Sequence, residues 1–441
     1  MTTRTFPDVM PAGPVALRPA QLVWLAAAVF VVSAGYGALM PLLPGWLGPM
    51  MPGASGSEIA RHVGFLSGVY AAGVLVGALL WGVVSDRVGH GRILIIGLIG
   101  YVISLLLLLV PGFQSVWAIY ALRATTGFFV AAVIPVVSAL VAEHTPGEQR
   151  ARRFAWLGAM SLLGFLFGPA FNVVSAWIGS GFGDAVVSVA VSARVVLGLS
   201  ALLGAVMMLG LARTLPPKRP SAVSARTAAE TPAHSRTAAL LWLNGTLMFV
   251  LAGFELSIVV QGQQEAGQSS RQAALMFAEC SLVMLGVNAL LFFTSLLEKI
   301  AARILIGAGL VLAIAGLAVL SQHRSELWMY LGVSFTSAGT GLVLPVIGYL
   351  AAGASVNKLG TTMGGLAAAA GLGQTLGSAA GGWLFGTFAQ RSFAWLTVPL
   401  LVMLLLLLFR PLWWSDVTAK LARDATRQPG SRRMFNGKGG A

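Results

Sequence analysis

The sequence predicts an all-α integral membrane protein with twelve transmembrane helices, arranged as two pseudo-symmetric six-helix bundles. The first observation is composition: the 441 residues are 57% hydrophobic and only 10% charged, whereas soluble domains carry roughly a quarter charged residues. The second is that the apolar residues form long runs, and one spanning helix needs about 20 of them. The third is that positive charges lie between these runs, which argues against nucleic acid as a partner despite a net charge of +14.

A hydrophilic segment rich in Pro, Ser, Thr and Arg divides the apolar runs into two groups of six. The first run is long enough to span and is not followed by a cleavage site, so we expect it to be retained. The predicted spans are 20–43, 63–85, 93–112, 114–142, 154–178, 185–212, 239–261, 272–296, 303–321, 327–352, 361–388 and 393–409. The predicted domains are a cytoplasmic N-terminus (1–19), the first bundle (20–212), a cytoplasmic linker (213–238), the second bundle (239–409) and a cytoplasmic tail (410–441).

Lysine and arginine predict the orientation of the chain. With the N-terminus inside, 22 of the 28 Lys and Arg residues fall in inner segments, and this excess is the usual signal for the cytoplasmic side. We therefore expect a multi-pass protein of the bacterial cytoplasmic (inner) membrane, with both termini in the cytoplasm. The lipid bilayer is its expected surroundings, and we expect a monomer.

The two groups of spans share a pattern that indicates duplication of a six-helix unit. Pro135 in span four and Pro345 in span ten lie 210 residues apart, and Gly168 and Gly377 lie 209 apart. Parallel repeats with a binding site between them near the membrane midplane are a known transporter design. The pattern therefore predicts a small-molecule substrate bound between the halves.

The loop after the second span combines glycines with charges of both signs. Glycine lets helices approach closely, and an aspartate can pair with an arginine or a helix N-terminus. On the residues alone, a tight basic turn is the alternative. The string resembles the loop signature of the major facilitator superfamily, which implies that fold and a latch that joins the halves in the outward-open state, against residues 360–365. The matching residues are Gly82, Asp86, Arg87, Gly89 and Arg92.

Arg123 lies inside span four and is followed by Gly127. A buried arginine in a span usually faces the bundle interior or a carboxylate. The pair resembles the R-x-x-x-G motif found in proton-coupled members of the superfamily. The resemblance implies that Arg123 tunes proton transfer or pairs with an anionic substrate group; the alternative is a structural ion pair between helices.

Span five contains Gly164, Gly168 and Pro169, with Asn172 one turn further along the same face. The glycines and proline resemble the antiporter motif of the drug:proton exporters, which implies a helix-packing hinge, and Asn172 is a candidate substrate contact. The sequence departs from the motif because Phe171 and Asn172 stand where a glycine pair usually follows. The alternative is ordinary packing of small residues between helices.

Two carboxylates lie within the predicted spans, Glu255 in span seven and Glu279 in span eight. The 1.5 Å rise per residue places both in the outer half of the bilayer at similar depth. Because burial disfavours the charged form of a carboxyl group, both are candidates for proton coupling. The alternative for each is a salt bridge to Arg123 or Arg194. Asn244 and Phe254 on the same helix are candidate substrate contacts, since this span lines the central cavity in the superfamily.

The sequence lacks the residue patterns that other classes of function require. The five histidines do not cluster, the single cysteine excludes a disulfide within the chain, and no phosphate-binding loop is present. We therefore expect no metal, no cofactor and no enzymatic activity. The resemblance to the drug:proton antiporter branch implies proton-coupled export of a drug, siderophore or metabolite. The alternatives are an importer, uniporter or channel for an anionic solute, and a non-transporting membrane scaffold.

Overall fold

The computed structural model describes residues 17–113, 115–145, 153, 156–168, 171, 174, 189–215, 234–264, 270–294, 296–323, 325–354 and 359–409. In these ranges the regular elements are all helical. In the first half they are α1 (Pro19–Leu39), α2 (Leu43–Leu47), α3 (Gly56–Val88), α4 (His90–Leu107), α5 (Val116–Val130), α6 (Ile134–Glu143), α7 (Trp156–Gly168) and α8 (Val189–Thr214). In the second half they are α9 (His234–Gln264), α10 (Ser270–Phe293), α11 (Leu296–Lys299), α12 (Ala302–Gln322), α13 (Glu326–Ala354), α14 (Leu359–Phe388) and α15 (Ser392–Phe409).

Ten stretches of the described chain are helical, long and apolar enough to cross a membrane. The longest of them, Gly365–Phe409, joins two long helices, because the turn Ala389–Arg391 separates α14 from α15. The apolar helix α7 is shorter, and most of its predicted continuation to residue 178 lies outside the described residues, as does the interior of the predicted linker. The prediction of an all-helical polytopic membrane protein is confirmed, and the count of twelve spans stays a prediction.

The two prolines that suggested internal duplication have different local effects. Pro135 is the second residue of α6, which begins after a break at residues 131–133, and proline is favoured at a helix start because its missing N–H has no partner there. Pro345 instead lies inside α13, which continues for nine residues beyond it. The fourth predicted span is therefore two helices, whereas the tenth is one.

The two halves pack directly against each other through α3 and α14. At the end of the bundle that holds residues 57–68, called here the far end, Gly64 and Gly382 bring the two backbones together. A Cβ added to Gly64 would lie only 2.6 Å from the Cα of Gly382. A Cβ added to Gly68 would likewise lie 3.1 Å from the Thr375 carbonyl oxygen. Glycine is needed here because any side chain would separate the helices and open the far end.

The other end of these two helices is called here the latch end because it holds the predicted latch loop. Toward that end, a Cβ on Gly371 would lie 3.1 Å from Leu75 Cδ1. At 100° per residue, Leu79 and Gly82 continue the face of α3 that Gly64 uses at the far end. Leu79 is 61% exposed, and no heavy atom lies within 4 Å of a Cβ built on Gly82. The described face of α3 is therefore packed against α14 at the far end and exposed at the latch end.

Candidate functional site

Polar side chains of both halves lie close together between the two ends of the bundle. Tyr36 of α1 is almost fully buried, and its hydroxyl lies near the side chain of Gln374 of α14. The carboxyl group of Glu255, on α9, lies within electrostatic range of the same hydroxyl. Three helices from both halves therefore bring a phenol, an amide and a carboxyl group together. This junction is called here the central site.

Glu255 is the acidic member of the central site. Its neighbours Phe254 and Leu256 are completely buried, whereas Glu255 itself is partly exposed. No hydrogen bond or ion pair involves its carboxyl group within the described part of the chain. A carboxylate inside a membrane protein without a cation is energetically costly, and proton binding removes that cost. The arrangement suits a group that gains and loses a proton.

The two other α9 residues predicted to contact substrate are engaged elsewhere in this conformation. Asn244 donates a hydrogen bond of 2.8 Å from Nδ2 to the carbonyl of Leu366, which fastens α9 to α14 within the second half. Phe254 is 0% exposed and packs in the core. Their substrate contact stays a prediction, and here both side chains stabilise helix packing.

Glu279 has a different environment from Glu255. Its Oε1 accepts a hydrogen bond of 2.5 Å from Ser334 Oγ, so the group is held between α10 and α13. It shares a helix face with Leu275 and Leu282, which are 46% and 56% exposed. Glu279 is therefore partly buried: one carboxyl oxygen is paired with Ser334, and the other, Oε2, is buried without a hydrogen-bond partner among the described residues.

Arg123 is buried to 2% exposure, beside the central site but within the first half. Its guanidinium carbon lies 4.5 Å from the centre of the Tyr70 ring, a cation–π contact. Gly127, one turn later, packs against the Tyr70 carbonyl, and a side chain there would push α5 away from α3. The R-x-x-x-G spacing thus has a local explanation: the glycine permits the approach that seats the arginine over the ring.

The predicted salt bridges from the carboxylates to arginine are absent among the described residues. Neither Glu255 nor Glu279 pairs with Arg123, and Arg194 is exposed near the start of α8. Arg123 instead lies over the Tyr70 ring, and the ring centres of Tyr70 and Tyr36 are 5.1 Å apart at an angle of 37°.

The predicted latch residues form the tight connection between α3 and α4. Gly89 has φ = +107°, a conformation that favours glycine, and its N–H donates to the Ser85 carbonyl at 2.8 Å. Arg87 lies in the last turn of α3 and Arg92 in the first turn of α4. Asp86 belongs to α3, but its side chain lies outside the described residues.

Two glycines beside the predicted latch contact have room around them in this conformation. Among the described residues, no heavy atom lies within 4 Å of a Cβ built on Gly82, and a Cβ on Gly365 would meet Leu241 of α9. The latch role of these residues in the opposite conformation stays a prediction.

The predicted hinge glycines pack α7 against α1. A Cβ on Gly164 would lie 2.5 Å from the Phe30 carbonyl oxygen, and one on Gly168 would lie 2.7 Å from the carbonyl carbon of Gly37. Ser33 and Ser161 add a hydroxyl contact of 2.9 Å across the same interface. These contacts agree with close helix packing. Pro169 and Asn172 lie outside the described residues.

Sequence reasoning missed the tyrosines. The chain has only six, and three of them, Tyr36, Tyr70 and Tyr101, converge on Arg123 from different helices. A tyrosine in an apolar run is amphipathic and gives no sign of which face it occupies. Their scarcity in a chain rich in apolar spans was the available signal. No group of three or more potential metal ligands occurs in the described part of the chain.

Comparison with known proteins identifies the family. The sequence model of the Major Facilitator Superfamily matches residues 25–291, more than half of the chain. Two solved structures superpose over 88% of this chain with a TM-score of 0.68: the human organic anion transporter MFSD10 (TETRAN), at 19% identity, and a D-xylose-proton symporter, at 16%. The superpositions include 100% of the MFSD10 chain and 96% of the symporter chain, and they show that the fold is the same.

Curated relatives are drug-resistance proteins. The chain is 34% identical to the class B tetracycline resistance protein of Escherichia coli over 31% of its own length and 32% of that protein. It is 26% identical to the class D protein of Salmonella ordonez over 75% of its length and 80% of that protein. The quinolone resistance protein NorA of Staphylococcus aureus matches at 28% over 33% of this chain and 35% of that protein. The chain spans about a third of the class B and NorA relatives.

The chain belongs to the Major Facilitator Superfamily, so the family and fold predicted from the loop signature are confirmed. Members of this superfamily are membrane-embedded transporters of small molecules and not enzymes.

Proposed function

We propose that this member of the Major Facilitator Superfamily is a proton-coupled antiporter that exports a small organic molecule, with Glu255 as the coupling group. The observation that carries the proposal is the position of Glu255. It is an acidic group without an ionic partner among the described residues, in the polar contact between the halves. A proton gained or lost there acts on the one region that every exchange of conformation must rearrange.

The names of the relatives support export. Tetracycline and quinolone resistance proteins match parts of the chain, and the class D protein matches most of it. A transporter that confers resistance lowers the concentration of a drug inside the cell. Substrates of this chain are accordingly proposed to be drugs, siderophores or metabolites of similar size.

The proposed cycle starts from the conformation described here. The distribution of Lys and Arg puts the latch end in the cytoplasm, so the open end faces inward. Substrate entering from the cytoplasm displaces the proton of Glu255, which leaves to the cytoplasm. Closure of the latch end and separation of Gly64 from Gly382 then expose the site outward. A proton from outside neutralises Glu255, substrate leaves, and the protonated carrier returns inward.

The sign of the pH dependence follows from this cycle. Because substrate binding releases a proton, substrate affinity rises as pH increases through the range in which Glu255 titrates. The experiment is substrate-dependent proton release from purified protein, together with efflux from proteoliposomes under an imposed pH gradient. Binding without proton release, or efflux indifferent to the gradient, would contradict antiport.

A second candidate is uptake or passive passage of an anionic solute with Arg123 as its partner. Arg123 is the buried cation that favours it, but the cavity beside Arg123 has a volume of only about 10 Å³. That is about the space of one water molecule, so an organic anion does not fit there in this conformation. Flux that persists without a pH gradient would favour this candidate. Ligand binding without any flux would favour a scaffold.

The proposal also covers the membrane in which the protein lies, its oligomeric state and its orientation. We place it in the bacterial cytoplasmic (inner) membrane as a monomer with both termini in the cytoplasm, on the positive-inside distribution of Lys and Arg. Accessibility of cysteines introduced into the tail and the linker, after replacement of Cys280, tests the orientation.

A further inference from the structure

The guanidinium of Arg123 has more hydrogen-bonding capacity than its surroundings use. Nε and Nη2 are both buried and have no hydrogen-bond partner. Arginine keeps its charge in proteins, so the two unpaired donors are not removed by loss of a proton. The Tyr70 ring faces the cation but accepts no conventional hydrogen bond from the two nitrogens. Groups of this kind are normally paired, and an unpaired one needs a partner that the polypeptide does not supply.

A small cavity lies beside Arg123 inside the first bundle. It has a volume of about 10 Å³ and is bounded by α1, α3, α4, α5 and α8. Ser200 Oγ also borders it and is buried without a partner. A Cβ on Gly35 would lie 2.8 Å from Tyr101 Oη and 3.0 Å from Ser200 Oγ, so the two hydroxyls converge on the wall where glycine leaves room. Guanidinium and hydroxyl donors therefore border one small cavity.

The lining contains no acidic residue. Its polar side chains are Tyr36, Tyr70, Tyr101, Arg123, Thr126 and Ser200, and the rest are apolar or glycine. Thr126 already donates to the Leu122 carbonyl at 2.7 Å. Glu255 lies beyond Tyr36 and forms no ion pair with Arg123. The cavity thus has a positive charge, free donors and no counter-charge of its own.

We infer that this cavity is a binding site for one small monoatomic anion of the chloride class, held by Arg123 with the hydroxyls of Tyr101 and Ser200. The volume admits a ligand about the size of a water molecule and excludes a substrate carboxylate or a phosphate. A water molecule would satisfy the donors but leave the charge uncompensated in a low-dielectric interior. The anion neutralises the charge of Arg123, for which the cavity supplies no carboxylate. Its site is separate from the proton site at Glu255.

The test measures halide binding and does not depend on transport, so its failure is distinct from failure of the proposed antiport. Purified protein is heated at constant ionic strength with gluconate progressively replaced by chloride or bromide. We expect a saturable rise in the unfolding midpoint, because a ligand that binds only the folded state stabilises it. The R123Q variant loses the rise, while R194Q, which removes an exposed arginine of the same bundle, keeps it.

Two further measurements guard against a variant that fails to fold. S200A removes one hydroxyl and leaves the arginine, and it is expected to weaken the halide response by about threefold to tenfold. Crystals of the unaltered protein grown in bromide are expected to give an anomalous peak beside Arg123. No halide-dependent midpoint in the unaltered protein, an equal response in a folded R123Q variant, or no bromide peak would overturn the inference in favour of a water molecule.

Discussion

Glu255 and Glu279 are two carboxyl groups on adjacent helices with opposite surroundings. Glu255 lies where the two halves meet, near Tyr36 of the other half, and has no hydrogen-bond or ionic partner among the described residues. Glu279 lies partly buried in the second half, where one of its oxygens accepts a hydrogen bond from Ser334 and the other has no partner among the described residues. A change of protonation at Glu255 alters the contact between the halves, whereas a change at Glu279 alters contacts within the second half. In the proposed mechanism, location relative to the interface between the halves, and not burial alone, selects the coupling residue.

The largest effect is expected from E255Q. Glutamine keeps the size and polarity of the side chain but cannot exchange a proton, so gradient-driven efflux falls to the level of empty liposomes. Substrate binding by this variant no longer depends on pH and no longer releases a proton. Calorimetry in two buffers of different ionisation enthalpy measures the released proton directly. A variant that still releases one proton per substrate would move the coupling site elsewhere.

Y36F tests the link between Glu255 and the first half. It removes the hydroxyl that lies near Gln374 and keeps the ring that packs beside Tyr70. Loss of a polar contact worth about 1 kcal/mol shifts the balance between conformations by about fivefold. We expect slower efflux with its pH dependence retained. Labelling of a cysteine introduced at Leu79 reports how open the latch end is.

Y101F is the matched control for Y36F. It removes a phenol hydroxyl at the halide cavity within the first half, away from the contact between the halves. The labelling of position 79 should therefore be unchanged in Y101F. Equal shifts in both variants would mean that the contact between Tyr36 and Gln374 has no special part in the conformational balance.

E279Q is expected to have a small effect. The amide oxygen of glutamine can still accept the Ser334 hydrogen bond, and no contact to the first half is lost. Efflux should keep its dependence on the pH gradient, with a rate within about twofold of the unaltered protein. A flat pH profile in E279Q, together with a normal profile in E255Q, would reverse the assignment of the two groups.

S334A should have the smallest effect on transport and a detectable one on stability. It deprives Glu279 of its hydrogen-bond donor, which lowers the free energy of unfolding by about 1 kcal/mol. Thermal unfolding in detergent measures that loss, and efflux with an unchanged pH profile is the accompanying expectation. A change in proton coupling would show that the α10–α13 contact takes part in the transport cycle.

The sequence identified several of these features without structural help. Apolar runs located the membrane helices, and the Gly82–Arg92 string with its charges indicated the family because such loop chemistry is local. Glu255, Glu279 and Arg123 stood out because ionisable residues within spans are rare. These predictions depend on properties of single segments.

Other features depend on how helices rotate and pack, which composition does not determine. The sequence placed Glu255 and Glu279 at similar depth, but their helix faces separate them. Pro135 and Pro345 occupy matching positions, yet one begins a helix and the other lies within one. Tyr36 gave no signal, because its importance comes from Gln374, which lies more than three hundred residues away in the chain. The closure of the far end likewise needs the meeting of Gly64 and Gly382.

The most direct test of the central claim is substrate efflux from proteoliposomes under an imposed pH gradient, with the unaltered protein, E255Q and E279Q reconstituted side by side. The account predicts uphill efflux that collapses when the gradient is removed, that is absent in E255Q and that persists in E279Q. Gradient-dependent efflux of equal size from E255Q and the unaltered protein would contradict it.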